Sequence, residues 1–174
     1  YKRQILAQLS GATQVVLIGG PRERLTQGVR IGADVVLDIA RTTPEERLER
    51  VLEITRGRGA DVTIEATGNP AAVNEGLALT RDAGRYVIVG QYTDVGDIEI
   101  NPHRDINRKH LELRGCWGSD YSHFWRGLRV VAKHGDRFRW EEFITRHYSL
   151  EEAGMALADA EAERAVKAVI DLSL

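Results

Sequence analysis

Six consecutive residues, Gly19-Gly20-Pro21-Arg22-Glu23-Arg24, carry the types and spacing that best suit a ligand. Arg22 and Arg24 fall within one helical turn, and a guanidinium fork matches phosphate geometry. Glu23 stands between them and offsets part of their field. The plain alternative is a solvated helix start. Elsewhere the reactive side chains are scattered. His103, His110, His123, His134 and His147 show no HExxH or other metal-ligand spacing, and read as surface or capping residues. Cys116 is the single cysteine, which excludes an internal disulfide and any CxxC zinc cluster within this sequence. No catalytic residue and no metal ligand is assigned.

The elements that must position the glycine and arginine corner are legible around it. Val15, Val16, Leu17 and Ile18 form an unbroken apolar, mostly β-branched run, which suits a strand covered on both faces of a parallel sheet. In open α/β sheets ligands sit beyond the carboxyl ends of the strands, which places the Gly19 to Arg24 corner where a ligand would lie. Pro21 is pre-set for the first helical position and Glu23 favours the positive helix start. Leu25 and Val29 share a face, Gly32 can take the left-handed conformation that stops the helix, and residues 33–38 begin the next strand.

The rest of the chain repeats this grammar. Residues 1–9 carry Ile5, Leu6 and Leu9 at helical spacing, so the chain is expected to begin inside a helix. Thr43-Pro44 with Glu46 reads as a capping box opening a helix with Leu48, Val51 and Leu52 on one face, closed by Gly57. Residues 61–66 are a strand, Asn69-Pro70 caps a helix bearing Val73 and Leu77 that Gly84 ends, and residues 85–90 are a further strand. Strand and helix alternate as in a parallel, doubly wound sheet. Further on, residues 97–101 read as extended, 102–110 as a short helix, and 111–117 as a strand whose alternation suits a sheet edge. Residues 121–134 form a helix with Phe124, Leu128 and Val131 on one face. Ser149 and Glu152 make a capping box before a helix ending near 162, and residues 166–172 are the last strand.

Composition narrows the classes. A chain of 174 residues with 43% apolar and 29% charged residues makes one domain with a real core and is not disordered. A formal net charge of -2 with interleaved signs excludes a nucleic-acid arm or membrane-surface patch. No apolar run approaches the ~20 residues of a bilayer span and no signal-peptide pattern opens the chain, so a cytoplasmic setting is expected. There is no internal repeat or low-complexity tract.

The succession SGATQVVLIGG, RIGADVVLD, GADVTIEATG, GRYVIVG, RKHLELRG and KAVIDL resembles the nucleotide-binding half of the zinc-dependent medium-chain alcohol dehydrogenases, which include polyol and threonine dehydrogenases. The resemblance implies an α/β, Rossmann-type, doubly wound and mostly parallel sheet. In that family a GxGxxG loop follows the first strand, and on this register its last glycine would stand immediately before Tyr1. Residues 1–174 are therefore expected to be an N-terminally incomplete nucleotide-binding domain, with the first strand, its glycine-rich loop and the catalytic zinc domain outside the chain. The family's first strand lies mid-sheet, and each backbone group unpaired by its loss would cost on the order of 1–3 kcal/mol. A domain with ~5–15 kcal/mol of stability could not tolerate many of these, so a longer protein is expected.

The resemblance also implies roles, residue by residue. Val89, Gly90 and Gln91 match the loop along the nicotinamide ribose and ring, and Cys116 and Gly118 the strand end that holds the carboxamide through main-chain groups. Glycines there would let a flat ring approach. Cys116 reads equally as a small buried strand residue. Ala66 and Thr67 match positions beside the adenosine half, or are an ordinary strand end. Lys167 matches a cation that pairs with the cofactor pyrophosphate, or is an exposed strand lysine. NAD-preferring relatives end the second strand with an acidic side chain that accepts from the ribose hydroxyls. Here that position is Gly19, Gly20 and Pro21 supply no carboxylate, and Arg22 and Arg24 follow, so NADP is favoured over NAD. Arg24 matches a position that is often basic even in NAD enzymes.

The expected function is that of the cofactor-binding domain of an NAD(P)-dependent oxidoreductase acting on CH-OH groups. Hydride would pass between an alcohol or polyol and the cofactor in the full-length protein, and the chain alone would be inactive. Zinc is expected only in the other domain. A zinc-free quinone reductase-like enzyme and a non-catalytic dinucleotide-sensing module are the alternatives. A short-chain dehydrogenase is disfavoured, because no tyrosine has a lysine four residues on. The partners implied are a small alcohol or carbonyl substrate and, through the 111–117 edge, a second copy in a homodimer, with no nucleic acid or membrane.

Overall fold

The computed structural model describes residues 2–138, 140–162 and 164–173. In chain order the elements are α1 (Lys2–Leu9), β1 (Val16–Gly19), α2 (Arg22–Arg30), β2 (Val35–Asp38), α3 (Pro44–Ile54), β3 (Ala60–Glu65), α4 (Pro70–Leu79) and β4 (Thr80–Ile88). A π-helical turn, His103–Asn107, precedes β5 (Glu112–Gly115) and α5 (Tyr121–Phe138). A 3-10 turn, Trp140–Phe143, leads to β6 (Arg146–Tyr148), α6 (Ala153–Glu161) and β7 (Ala168–Ile170). Every strand pair is parallel: β1 with β2, β3 with β4 and β4 with β5, and β6 with β7.

Residues 42–120 form one compact unit and the remainder of the chain another. In the 42–120 unit, caps account for the helix starts. The Thr43 hydroxyl accepts from the Glu46 amide at 3.2 Å while the Glu46 carboxylate accepts from the Thr43 amide at 2.8 Å, which completes the capping box. The Asn69 side chain accepts from the Ala71 amide at 2.9 Å. Arg47, buried, donates from Nε and Nη2 to the two Glu75 oxygens at 2.6 and 2.7 Å, pinning α3 to α4. The core here is Tyr86, fully buried against Val73, Leu77 and Leu111. Its ring fits because residue 76 is glycine: a Cβ there would stand 2.3 Å from the Tyr86 hydroxyl oxygen. In the other unit Ile5, Ile31 and Phe138 make the core, with Leu9, Trp140 and Phe143 around them. Gly32 takes φ +99°, as its place after α2 requires.

Several elements differ from expectation. Pro21 stands at the N-cap of α2 rather than at its first helical position; its carbonyl accepts from the Arg24 and Leu25 amides. β4 begins at Thr80, before Gly84, because the buried Thr80 hydroxyl donates to the Gly76 carbonyl at 2.7 Å and its backbone pairs with Ala60. Residues 97–101 join no ladder. The 111–117 strand shortens to β5, which does lie at a sheet edge. α5 runs on to Phe138 across a non-helical His134, and its expected core face is open: Phe124 is 62% exposed, Leu128 47% and Val131 39%. Ser149 and Glu152 form a turn, with the Glu152 carboxylate accepting from the Ser149 amide, and α6 starts after it. The last strand is three residues, and β6, its partner, has no apolar alternation to announce it.

Candidate functional site

Parallel pairing delivers the carboxyl ends of β3, β4 and β5 to one edge of their sheet, with Glu65 opposite Ile88 and Ile88 opposite Gly115. Glu65 organises this edge. Its Oε1 accepts from the Thr67 amide at 2.6 Å, the Gly68 amide at 2.9 Å and the Thr67 hydroxyl at 2.9 Å, and its Oε2 accepts from the Gly90 amide at 3.0 Å. Burial alone would push this carboxyl up, but the Gly68, Thr67 and Gly90 donors outweigh it and leave the pKa below the ordinary glutamate value. Glu65 was not assigned a role on sequence grounds. The available signal was an acidic side chain closing a strand two residues before Thr-Gly.

Of the expected residues of this unit, Thr67 and Gly90 contact that carboxylate, and Val89 and Cys116 are fixed by backbone bonds to the strand ends. Val89 donates its amide to the Glu65 carbonyl at 3.0 Å, and the Cys116 amide donates to the Ile88 carbonyl at 2.9 Å. Ala66 and Thr67 are exposed at the loop surface and Gly90 is buried beneath it. The reason for glycine at 90 differs from the expected approach of a flat ring. A Cβ on Gly90 would lie 2.5 Å from Glu65 Oε1 and 2.5 Å from the Gly68 nitrogen, so the room is taken by protein. Gly118, at φ +62°, faces open space. Cys116 is exposed and lies past the strand, which removes the reading of it as a small buried residue.

An open cleft of about 530 Å³ lies here, with Ile88, Gln91, Tyr92, Val95 and Trp117 among its walls. The Gln91 amide nitrogen is buried without a partner among the described residues. Trp117 and Tyr92, 78% and 69% exposed, present aromatic surface that sequence reasoning passed over. An open cleft with aromatic and aliphatic walls suits a flat, partly polar ring.

In the other unit, β1 ends at Gly19 and α2 begins at Arg22. Space around a Cβ at Gly19 is open, and at Gly20 its nearest neighbour would be the Ile39 side chain at 3.5 Å. Arg22 is exposed and Arg24 half-buried. Lys167 is exposed immediately before β7, and its carbonyl accepts from the Thr145 and Arg146 amides. Among the described residues no three His, Cys, Asp or Glu side chains cluster to hold a metal, and no helix is long and apolar enough to cross a membrane.

Parallel strands joined by crossover helices, with loops gathered at the carboxyl ends, define a Rossmann-type α/β fold. A family model described as zinc-binding dehydrogenase matches residues 4–133, and the chain belongs to that family. Over 170 residues, 98% of this chain and 47% of the relative, it is 35% identical to the 5-exo-hydroxycamphor dehydrogenase of Pseudomonas putida. Over 96 residues, 55% of this chain and 27% of the relative, it is 40% identical to human sorbitol dehydrogenase. The crystal structure of an alcohol dehydrogenase from Thermotoga maritima superposes on 96% of this chain and 45% of its own with a TM-score of 0.89 at 32% identity. The chain thus spans about half, or less, of the length of the relatives it matches.

Proposed function

We propose that this chain is the cofactor-binding part of an NAD(P)-dependent dehydrogenase acting on CH-OH groups, and that the remainder of the protein supplies the substrate pocket and any zinc. The observation that carries this reading is the cleft beyond the carboxyl ends of β4 and β5, with Gln91 and Trp117 among its walls, in a chain related to dehydrogenases over nearly its whole length. The nicotinamide group, when bound, takes up or gives a hydride at its C4. Toward it, Gln91 lines the cleft, Val89 and Gly90 give a fixed backbone, and Trp117 and Tyr92 give aromatic walls. Ala66 and Thr67 support the adenosine half, and Lys167 is the cation for the pyrophosphate. No side chain of the chain is assigned a proton transfer, and the chain alone is inactive.

NADP is the favoured cofactor. Gly19 leaves open space where an acidic side chain would repel a 2′-phosphate, and Arg22 beside it is exposed. The open outer edge of β5 supports a homodimer of the full-length protein, and the cytoplasm is its proposed setting. Incubating the full-length protein with NADP and a panel of secondary alcohols and polyols, with metal analysis alongside, tests the reading. Reduction of the cofactor by at least one alcohol, with stoichiometric zinc, is the expected result. Quinone reduction by metal-free protein would move the protein to the zinc-free alternative.

A further inference from the structure

Glu65 is a buried carboxylate that the proposed reaction does not use, 4% exposed at the end of β3. It is the common acceptor for two loops. On one side are the amides of Thr67 and Gly68 and the Thr67 hydroxyl; on the other, 25 residues later in the chain, is the Gly90 amide. The fit leaves no slack. A Cβ on Gly90 would collide with the carboxylate at 2.5 Å, and one on Gly68 would press on the Gly90 carbonyl at 3.1 Å. Directly after the Gly90 donor comes Gln91, one of the walls of the cleft.

We propose that Glu65 is a positioning residue for dinucleotide binding, locking the 66–68 loop to the 89–91 loop so that both present their groups in one geometry before the cofactor arrives. This rests on the reading of the chain as the cofactor-binding part of a dehydrogenase. A carboxylate suits the task because it accepts at both oxygens and donates at neither. Glutamine of the same size must turn its NH₂ group on one set of N–H donors, so one loop is released. Aspartate, one methylene shorter, reaches the neighbouring Thr67 and Gly68 amides but not Gly90.

The test uses the full-length protein, titrated with NADPH and with NADH by nicotinamide fluorescence, and amide hydrogen exchange without cofactor. Glu65→Gln is expected to weaken both dinucleotides alike, by about tenfold or more, as loss of charge-assisted bonds to buried amides predicts. The Thr67, Gly68 and Gly90 amides should lose exchange protection while the rest of β3 and β4 keeps it. Glu65→Asp should restore protection at Thr67 and Gly68 alone and recover part of the affinity. Thr67→Val, which removes one of the four donors, serves if Glu65→Gln does not fold: lost exchange protection at Gly68 and Gly90 without cofactor separates the loop lock from any direct contact of Thr67 with the adenosine half, beside an expected few-fold loss of affinity. A wild type that binds either dinucleotide, and a Glu65→Gln or Thr67→Val protein that binds it with unchanged Kd, overturns the positioning role even if the variant melts earlier. A wild type that binds neither dinucleotide instead overturns the cofactor-binding reading.

Discussion

The two strand-end corners of this chain are built on opposite plans. At the end of β3 a buried carboxylate gathers four donors from two loops, and in the same unit the buried Arg47 is held by Glu75. At the end of β1 the corner is two glycines and a proline, no side chain caps α2, and Arg22 is exposed. The difference teaches a division of labour. On the proposed reading, rigid, internally satisfied polar groups would preorganise the surface that any dinucleotide shares, while the exposed Arg22 at an open corner would add a preference for one dinucleotide at little cost to the fold.

The comparison breaks first at Arg47. Arg47→Ala leaves Glu75, whose side chain is only 16% exposed, without its partner and should cost about 2–4 kcal/mol by urea unfolding, somewhat discounted from a fully buried pair because Glu75 keeps some water. Arg22→Ala in the same assay should change stability by less than about 0.5 kcal/mol. Equal effects would show that the two regions are not built differently. Next in size is Gly90→Ala, expected to cost about 1–3 kcal/mol by overpacking against Glu65 and the Gly68 amide, whereas Gly19→Ala, with open space around it, should cost under about 1 kcal/mol.

Acid sharpens the contrast further. The Glu65 carboxyl lies lower when folded than when unfolded, so the unfolded chain binds the extra proton on acidification. Its stabilisation is present above the unfolded glutamate value of about 4.3 and is lost as pH falls through the lower folded value. Denaturation of wild type and Glu65→Gln between pH 7 and pH 3 should show curves that converge on acidification; parallel curves would mean that the ionised form is not what the loops use. The smallest stability effect belongs to Arg22→Ala. It should fold nearly as well as wild type yet lose about 1–2 kcal/mol of NADPH affinity with NADH binding unchanged, as read by fluorescence titration.

Much of this architecture was legible because it is written locally. The Thr43 and Glu46 box, the Asn69 cap, Gly32 at positive φ and the strand β1, one residue later than the 15–18 run, each depend on neighbours a few residues away. What stayed hidden is non-local. Glu65 looks like any strand-end acid until Gly90 is brought opposite by the β3 and β4 pairing, and the need for glycine at 90 is visible only then. β6 is three residues, Arg-His-Tyr, too short and polar to show a period. The apolar face of α5 reads as core from its spacing, yet Phe124 and Leu128 are exposed in this chain, because spacing records that a face is apolar and not what covers it.

The account turns on whether the carboxyl ends of these strands hold a dinucleotide and whether the Gly19 to Arg24 corner biases the choice. Titrating the full-length protein with NADPH and NADH under one buffer and salt condition reads both. The account predicts saturable binding of each, with NADPH tighter by about fivefold to thirtyfold, the equivalent of 1–2 kcal/mol. Failure to bind either dinucleotide would contradict the cofactor-binding reading, and NADH binding as tightly as NADPH would contradict the role given to Arg22 and Arg24.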